Sequence, residues 1–121
     1  MVFTILTKEG RPMGNIGLEQ ISWKNRRANM GIMIGEKEYW GKGYGSDAII
    51  TMLRYCFEEL GMRRVELFTD TDNVRARRAY QKCGFKDEGV MRQYRPKKGR
   101  VVDEVLMSIL STEWFAMHPL K

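Results

Sequence analysis

Tyr39-Trp40-Gly41-Lys42-Gly43-Tyr44-Gly45-Ser46 is the stretch on which the fold turns. The run before it, Asn29-Met30-Gly31-Ile32-Met33-Ile34, reads as a strand. After it, Ile49, Met52, Leu53, Cys56, Phe57 and Leu60 recur at three- and four-residue steps and make one apolar helix face. Three alternating glycines and a lysine therefore sit where a strand hands over to a helix N-terminus. Such a turn aims free backbone N–H groups and the positive end of the helix dipole at one spot, which suits a phosphate or pyrophosphate. The spacing is G-x-G-x-G, so it matches neither the ATP-binding Gly-Lys-Ser/Thr loop nor the dinucleotide G-x-G-x-x-G. On spacing alone, a tight connection that simply needs glycine dihedrals explains it equally well.

The second half narrows the reading. Val65-Glu66-Leu67-Phe68-Thr69 has strand character, and Asp70-Thr71-Asp72-Asn73 supplies turn and N-cap chemistry. Ala76, Ala79, Tyr80 and Cys83 form a second helical stripe closed by Gly84 and Phe85. Upstream, 2–8 and 12–21 read as a hairpin around Glu9-Gly10, followed by the polar loop Trp23-Lys24-Asn25-Arg26-Arg27. Downstream, 88–94 and 100–110 pair around Pro96-Lys97-Lys98-Gly99, and the tail after Ser111 gives no signal. The order ββ-β-α-β-α-ββ predicts one α+β domain over 1–121 with a mixed, mainly antiparallel sheet flanked by helices.

Three ordered pieces carry a family likeness: Met33-Ile34-Gly35-Glu36-Lys37-Glu38-Tyr39-Trp40-Gly41-Lys42-Gly43-Tyr44-Gly45, Asp72-Asn73-Val74-Arg75-Ala76-Arg77-Arg78-Ala79-Tyr80, and Cys83-Gly84-Phe85-Lys86-Asp87-Glu88-Gly89-Val90. With them the chain resembles the Gcn5-related N-acetyltransferase (GNAT) superfamily. Within it the likeness is to the ribosomal-protein N-terminal acetyltransferases and their spermidine and antibiotic-modifying relatives. It runs from about Phe3 to Trp114. By that resemblance the chain begins at the family's second strand, short of the first strand and helices that line the acceptor groove.

The resemblance implies acetyl transfer from acetyl-CoA to a primary amine by direct attack. Met33, Ile34 and Gly35 are expected to pair with the pantetheine arm like an added strand. Gly41, Lys42, Gly43, Tyr44, Gly45 and Ser46 are expected to hold the pyrophosphate, with Arg78 and Arg75 toward the cofactor side. Asn73 either caps the second helix or hydrogen-bonds the pantetheine. Tyr80 ends the family motif and is the expected general acid on the departing thiolate, although a core tyrosine would look the same. The family's glutamate base falls on Phe68 here, so no base carries over; Glu36, Glu38, Asp103 and Glu104 lie near strand ends, and each also reads as a solvated surface acid. A non-catalytic acetyl-CoA binder is the alternative.

Composition bounds these expectations. Within 121 residues, 43% hydrophobic and 30% charged content describe one globular domain. No apolar run approaches the length that spans a bilayer, and the N-terminus lacks a signal-peptide layout. Cys56 and Cys83 fall on apolar helix faces and read as reduced packing residues of a cytoplasmic protein, not as a disulfide or metal site. The net charge of +6 comes from short, dispersed clusters at Arg26-Arg27, Arg63-Arg64, Arg75 to Arg78 and Lys97 to Arg100. They are mixed with 15 acids, so solvated faces account for them better than a nucleic-acid module. The expected partners are acetyl-CoA and an amine acceptor, with no membrane, no metal and an assembly state open to a homodimer.

Overall fold

A computed structural model describes residues 1–35 and 43–119. Six strands, β1 (Val2–Leu6), β2 (Pro12–Ser22), β3 (Arg27–Ile34), β4 (Arg64–Asp70), β5 (Lys86–Lys97) and β6 (Arg100–Leu110), form one sheet in the order β1-β2-β3-β4-β6-β5. All neighbours are antiparallel except β3 and β4. Helices α1 (Tyr44–Arg54), α2 (Val74–Lys82) and α3 (Ser111–Met117) complete the chain, α1 continuing as a π-helical turn over Tyr55–Glu59. The predicted α+β class and the order of the first eight elements agree with this architecture.

The helical stripe read from the sequence does its expected work. Ile49, Met52, Leu53, Cys56 and Phe57 are all at most 4% exposed and pack with Leu18, Met30, Val65, Leu67, Val105 and Met107 from the sheet. The Leu60 N–H reaches the Tyr55 carbonyl at 2.9 Å, one residue beyond α-helical spacing, and this wider turn keeps Cys56 and Phe57 facing inward. Gly61, at φ 69°, then ends the helix.

Two glycine positions are dictated by geometry. Gly84 has φ 111°, and a Cβ there would lie 2.9 Å from both Ile109 Cδ1 and Met117 Sδ. Around it the Gly84 N–H bonds the Gln81 carbonyl and the Phe85 N–H the Tyr80 carbonyl, each at 3.0 Å, closing α2. Gly43, at φ 84°, starts α1 from the left-handed region.

The tail departs from expectation. Ser111–Met117 is a helix whose Trp114 is fully buried, 5.8 Å from the Phe57 ring, with its indole N–H on Glu58 Oε2 at 3.1 Å. The Glu113 carboxylate caps it by accepting from the Leu110 N–H at 2.9 Å. Seven residues, with Trp114 buried and Phe115 partly so, are too short for a periodicity to detect; the tertiary site for Trp114 makes the helix.

The pairing of β3 with β4 positions the candidate site. Their parallel register runs only through Arg27↔Arg64, Ala28↔Val65 and Asn29↔Glu66. Beyond it β3 continues to Ile34 along β2 while β4 continues to Asp70 along β6. The sheet is therefore closed at one end and split at the other.

Candidate donor and acyl-transfer site

The split leaves backbone groups of β3 facing a gap. The Gly35 N–H donates to the Met13 carbonyl at 3.0 Å. Because antiparallel strands alternate the direction of their amides, Gly31, Met33 and Gly35 spend theirs on β2, and Met30, Ile32 and Ile34 direct theirs the other way. Of the three expected pantetheine partners, only Ile34 thus has its N–H and C=O toward the gap. Met33 is a 66% exposed side chain on the opposite register, and Gly35 is already engaged.

At the start of α1, the first N–H to find a helical carbonyl is that of Asp47, on Gly43 at 2.9 Å. Among the described residues no side chain caps the helix. The N–H groups of Tyr44, Gly45 and Ser46 therefore have no partner among the described residues at the positive end of an 11-residue helix. Gly41 and Lys42, also expected here, lie outside the described residues, as do Glu36 and Glu38.

Helix α2 packs beside this N-terminus. The Cys83 thiol donates to the Ser46 carbonyl with Sγ at 3.9 Å, and Tyr80 sits one turn earlier. Tyr80 is half-buried and edge-on to Phe85, ring centroids 5.9 Å apart, with no hydrogen bond to its hydroxyl among the described residues. Burial pushes its phenol above the ordinary value of 10.0, and Cys83 adds to the shift. The group is a protonated donor throughout the neutral range. Burial also raises both thiols, Cys56 to about 12, so neither is a nucleophile at neutral pH.

Asn73 is the N-cap of α2. Its Oδ1 accepts from the Ala76 N–H at 3.2 Å, which commits the oxygen and leaves the amide NH2. Arg78 is exposed, without an ion-pair partner among the described residues.

The acidic candidates require correction. Asp103 accepts from the Gln93 N–H at 2.7 Å and pins a bulge in β5. Glu104 is not a solvated surface acid: it is 5% exposed, beside Asp70, itself 5% exposed and read from the sequence only as turn chemistry. Arg95 bridges the two, 2.9 Å to Glu104 and 2.8 Å to Asp70, while Lys97 bonds the second Asp70 oxygen. Burial alone would raise the Asp70 carboxyl; hydrogen bonds with Glu104, Lys97 and Arg95 outweigh it and hold Asp70 well below the usual carboxylate range. Burial and the Asp70 charge push Glu104 up, against the pull of Arg95. Phe68 stacks on Tyr94 with centroids 5.3 Å apart. Sequence periodicity could not find this cluster, because it joins a strand end to a bulged neighbour.

Among the described residues no group of His, Cys, Asp and Glu could hold a metal ion, and no helix is long and apolar enough to cross a membrane.

Comparison with known proteins shows the family. The Acetyltransferase (GNAT) domain model matches residues 1–86. An N-acetyltransferase p20 of Bacillus licheniformis is 32% identical over 93% of the chain and 63% of its own length. A spermidine N(1)-acetyltransferase of Escherichia coli is 30% identical over 91% of the chain and 59% of its own length. The chain thus spans about three fifths of these curated relatives. The crystal structure of Vibrio cholerae spermidine N-acetyltransferase in complex with CoA and spermine superposes with TM-score 0.89 at 28% identity, covering 94% of the chain and 67% of that structure. On the strength of the matched domain and of these identities, the chain belongs to the GNAT acetyltransferase family.

Proposed function

We propose that this chain is the donor-binding and transfer portion of an acetyl-CoA-dependent N-acetyltransferase acting on a primary amine. The observation that carries the reading is the N-terminus of α1 after left-handed Gly43, unpaired among the described residues, in a fold whose sheet splits between β3 and β4. The α1 amides, with Gly41 and Lys42, hold the pyrophosphate of acetyl-CoA. The pantetheine arm adds to β3 along Ile34, with the free amide of Asn73 as a further donor and Arg78 near the phosphates.

The acceptor amine, neutral when it attacks, forms the C–N bond at the thioester carbon. The Ile34 N–H stabilises the oxyanion that develops on the thioester oxygen. As the intermediate collapses the C–S bond breaks, and Tyr80 gives its proton to the departing thiolate. The amine releases its proton to water, which returns one to Tyr80, so the protons balance.

The comparisons supply acceptors to try rather than an answer. Release of CoA thiol should be followed against spermidine, a peptide N-terminus, an aminoglycoside and a free amino acid. Amine-dependent release with one of them supports the reading. CoA binding without release from any would favour the non-catalytic binder, a reading that Phe68 at the family's base position motivates. Absence of CoA binding would overturn both.

A further inference from the structure

The closed end of the sheet brings together two basic clusters that are 37 residues apart in sequence. The β2–β3 turn is Trp23-Lys24-Asn25-Arg26, closed by the Ser22↔Arg27 pair and by the Asn25 N–H on Ser22 Oγ at 3.2 Å. Arg26, at φ 53°, turns its carbonyl to accept from the backbone N–H of Arg63 at 2.7 Å and of Arg64 at 3.2 Å. Lys24, Arg26, Arg27 and Arg63 are all exposed, and none has an ion-pair partner among the described residues. Arg64 is different: Glu66 and Glu88 occupy its guanidinium. Glu19 and Glu59, the acids nearest them in sequence apart from Glu58 and Glu66, make no ion pair with them among the described residues. In their midst the Trp23 side chain is 57% exposed on a turn that has no need of an indole for its own closure.

Composition alone favours solvated faces for these clusters, but the exposed indole that the fold sets beside four cations without ion-pair partners among the described residues changes that reading, and we infer that the β2–β3 turn and the start of β4 bind single-stranded nucleic acid. The cations contact phosphates and the Trp23 ring stacks on a base. The chemistry favours a single strand. An indole on a tight turn offers one stacking face, which needs an unpaired base, and every base has such a face. An acidic peptide would use the cations and leave the indole in water. The surface is also separate from the donor site: Arg27 and Ile34 lie at opposite ends of β3, seven residue steps or about 23 Å apart. The inference does not depend on the acetyl-transfer reading.

Fluorescence anisotropy of a labelled 12-mer oligouridylate, with saturating CoA present, tests it. Three to four phosphate contacts predict that log K falls with log salt at a slope of about −2 to −3, roughly 20- to 50-fold weaker binding between 50 and 200 mM KCl. Trp23→Ala should weaken binding by about 5- to 100-fold, with Trp23→Phe recovering most of it. Lys24→Glu with Arg63→Glu should flatten the slope by about 1 to 1.5. All these side chains are exposed, so melting temperature should hold, and the Phe variant keeps the test open if the Ala variant loses fold. Unchanged affinity in Trp23→Ala, equal competition by polyglutamate, equal binding of a duplex, or binding seen only when CoA is left out would each overturn the inference.

Discussion

Replacing Tyr80 by Phe isolates one oxygen and one proton. The ring stays edge-on to Phe85 at 5.9 Å, so packing is retained. Tyr80 is half-buried and its hydroxyl has no bond among the described residues, so its loss should move stability by less than about 0.5 kcal/mol. If that proton goes to the leaving thiolate, turnover should fall about 100-fold, or roughly 2.7 kcal/mol of barrier. The assay is thiol release at saturating acetyl-CoA and amine, beside calorimetric CoA affinity and a thermal melt, on a form that turns over. Because burial raises the phenol above 10.0, wild-type turnover should show no Tyr80-dependent fall between pH 7 and 10. The stability sign follows from the same shift. The folded state holds this proton more tightly than the unfolded chain, so the contribution is complete below pH 10 and is lost as pH rises through the folded value. The Phe variant should lack that alkaline loss. Unchanged turnover would refute the general-acid role, and equal losses of turnover and stability would make Tyr80 a packing residue.

Four further outcomes follow. Gly45→Ala improves helix propensity by up to about 1 kcal/mol yet puts a methyl where phosphate approaches, so CoA affinity should drop tenfold or more with no loss of melting temperature. Gly43 is the poorer probe, since its φ of 84° strains any replacement. Gly84→Ala should cost about 2–3 kcal/mol in urea titration; exposed Met117 can swing aside, but fully buried Ile109 cannot. Asn73→Asp keeps the cap and removes the amide donor, so calorimetry should show weaker CoA binding at unchanged stability, whereas Asn73→Ala should also lose about 1 kcal/mol of stability. On acidification from pH 7, stability should first rise as Glu104, with its raised value, takes up a proton. It should then fall below about pH 4 as Asp70, with its lowered value, loses its ion pairs. Glu104→Gln should abolish the rise in a series of denaturant titrations across pH.

The sequence by itself determined everything that repeats or terminates locally. The α1 stripe from Ile49 to Phe57, the Gly61 and Gly84 stops and the order of six strands follow from side-chain period and backbone dihedrals. The strand–helix junction at Gly43 to Ser46 is local, so it could be read from spacing, whereas the role given to Tyr80 rests on the family resemblance. Tertiary structure decided what depends on neighbours distant in the chain. That β3 and β4 pair for three residues and then separate sets which amide of Met33-Ile34-Gly35 is free, and only the Gly35–Met13 bond reveals the phase. The Asp70–Glu104 pair arises from strand register between residues 34 apart, and Arg95 reaches it only through a bulge. Likewise Trp114 earns its helix from a cavity beside Phe57, and Arg26 meets Arg63 because a carbonyl turned by a left-handed residue completes the parallel start of β4. Periodicity is written along the chain; register and burial are properties of strands only once they have met.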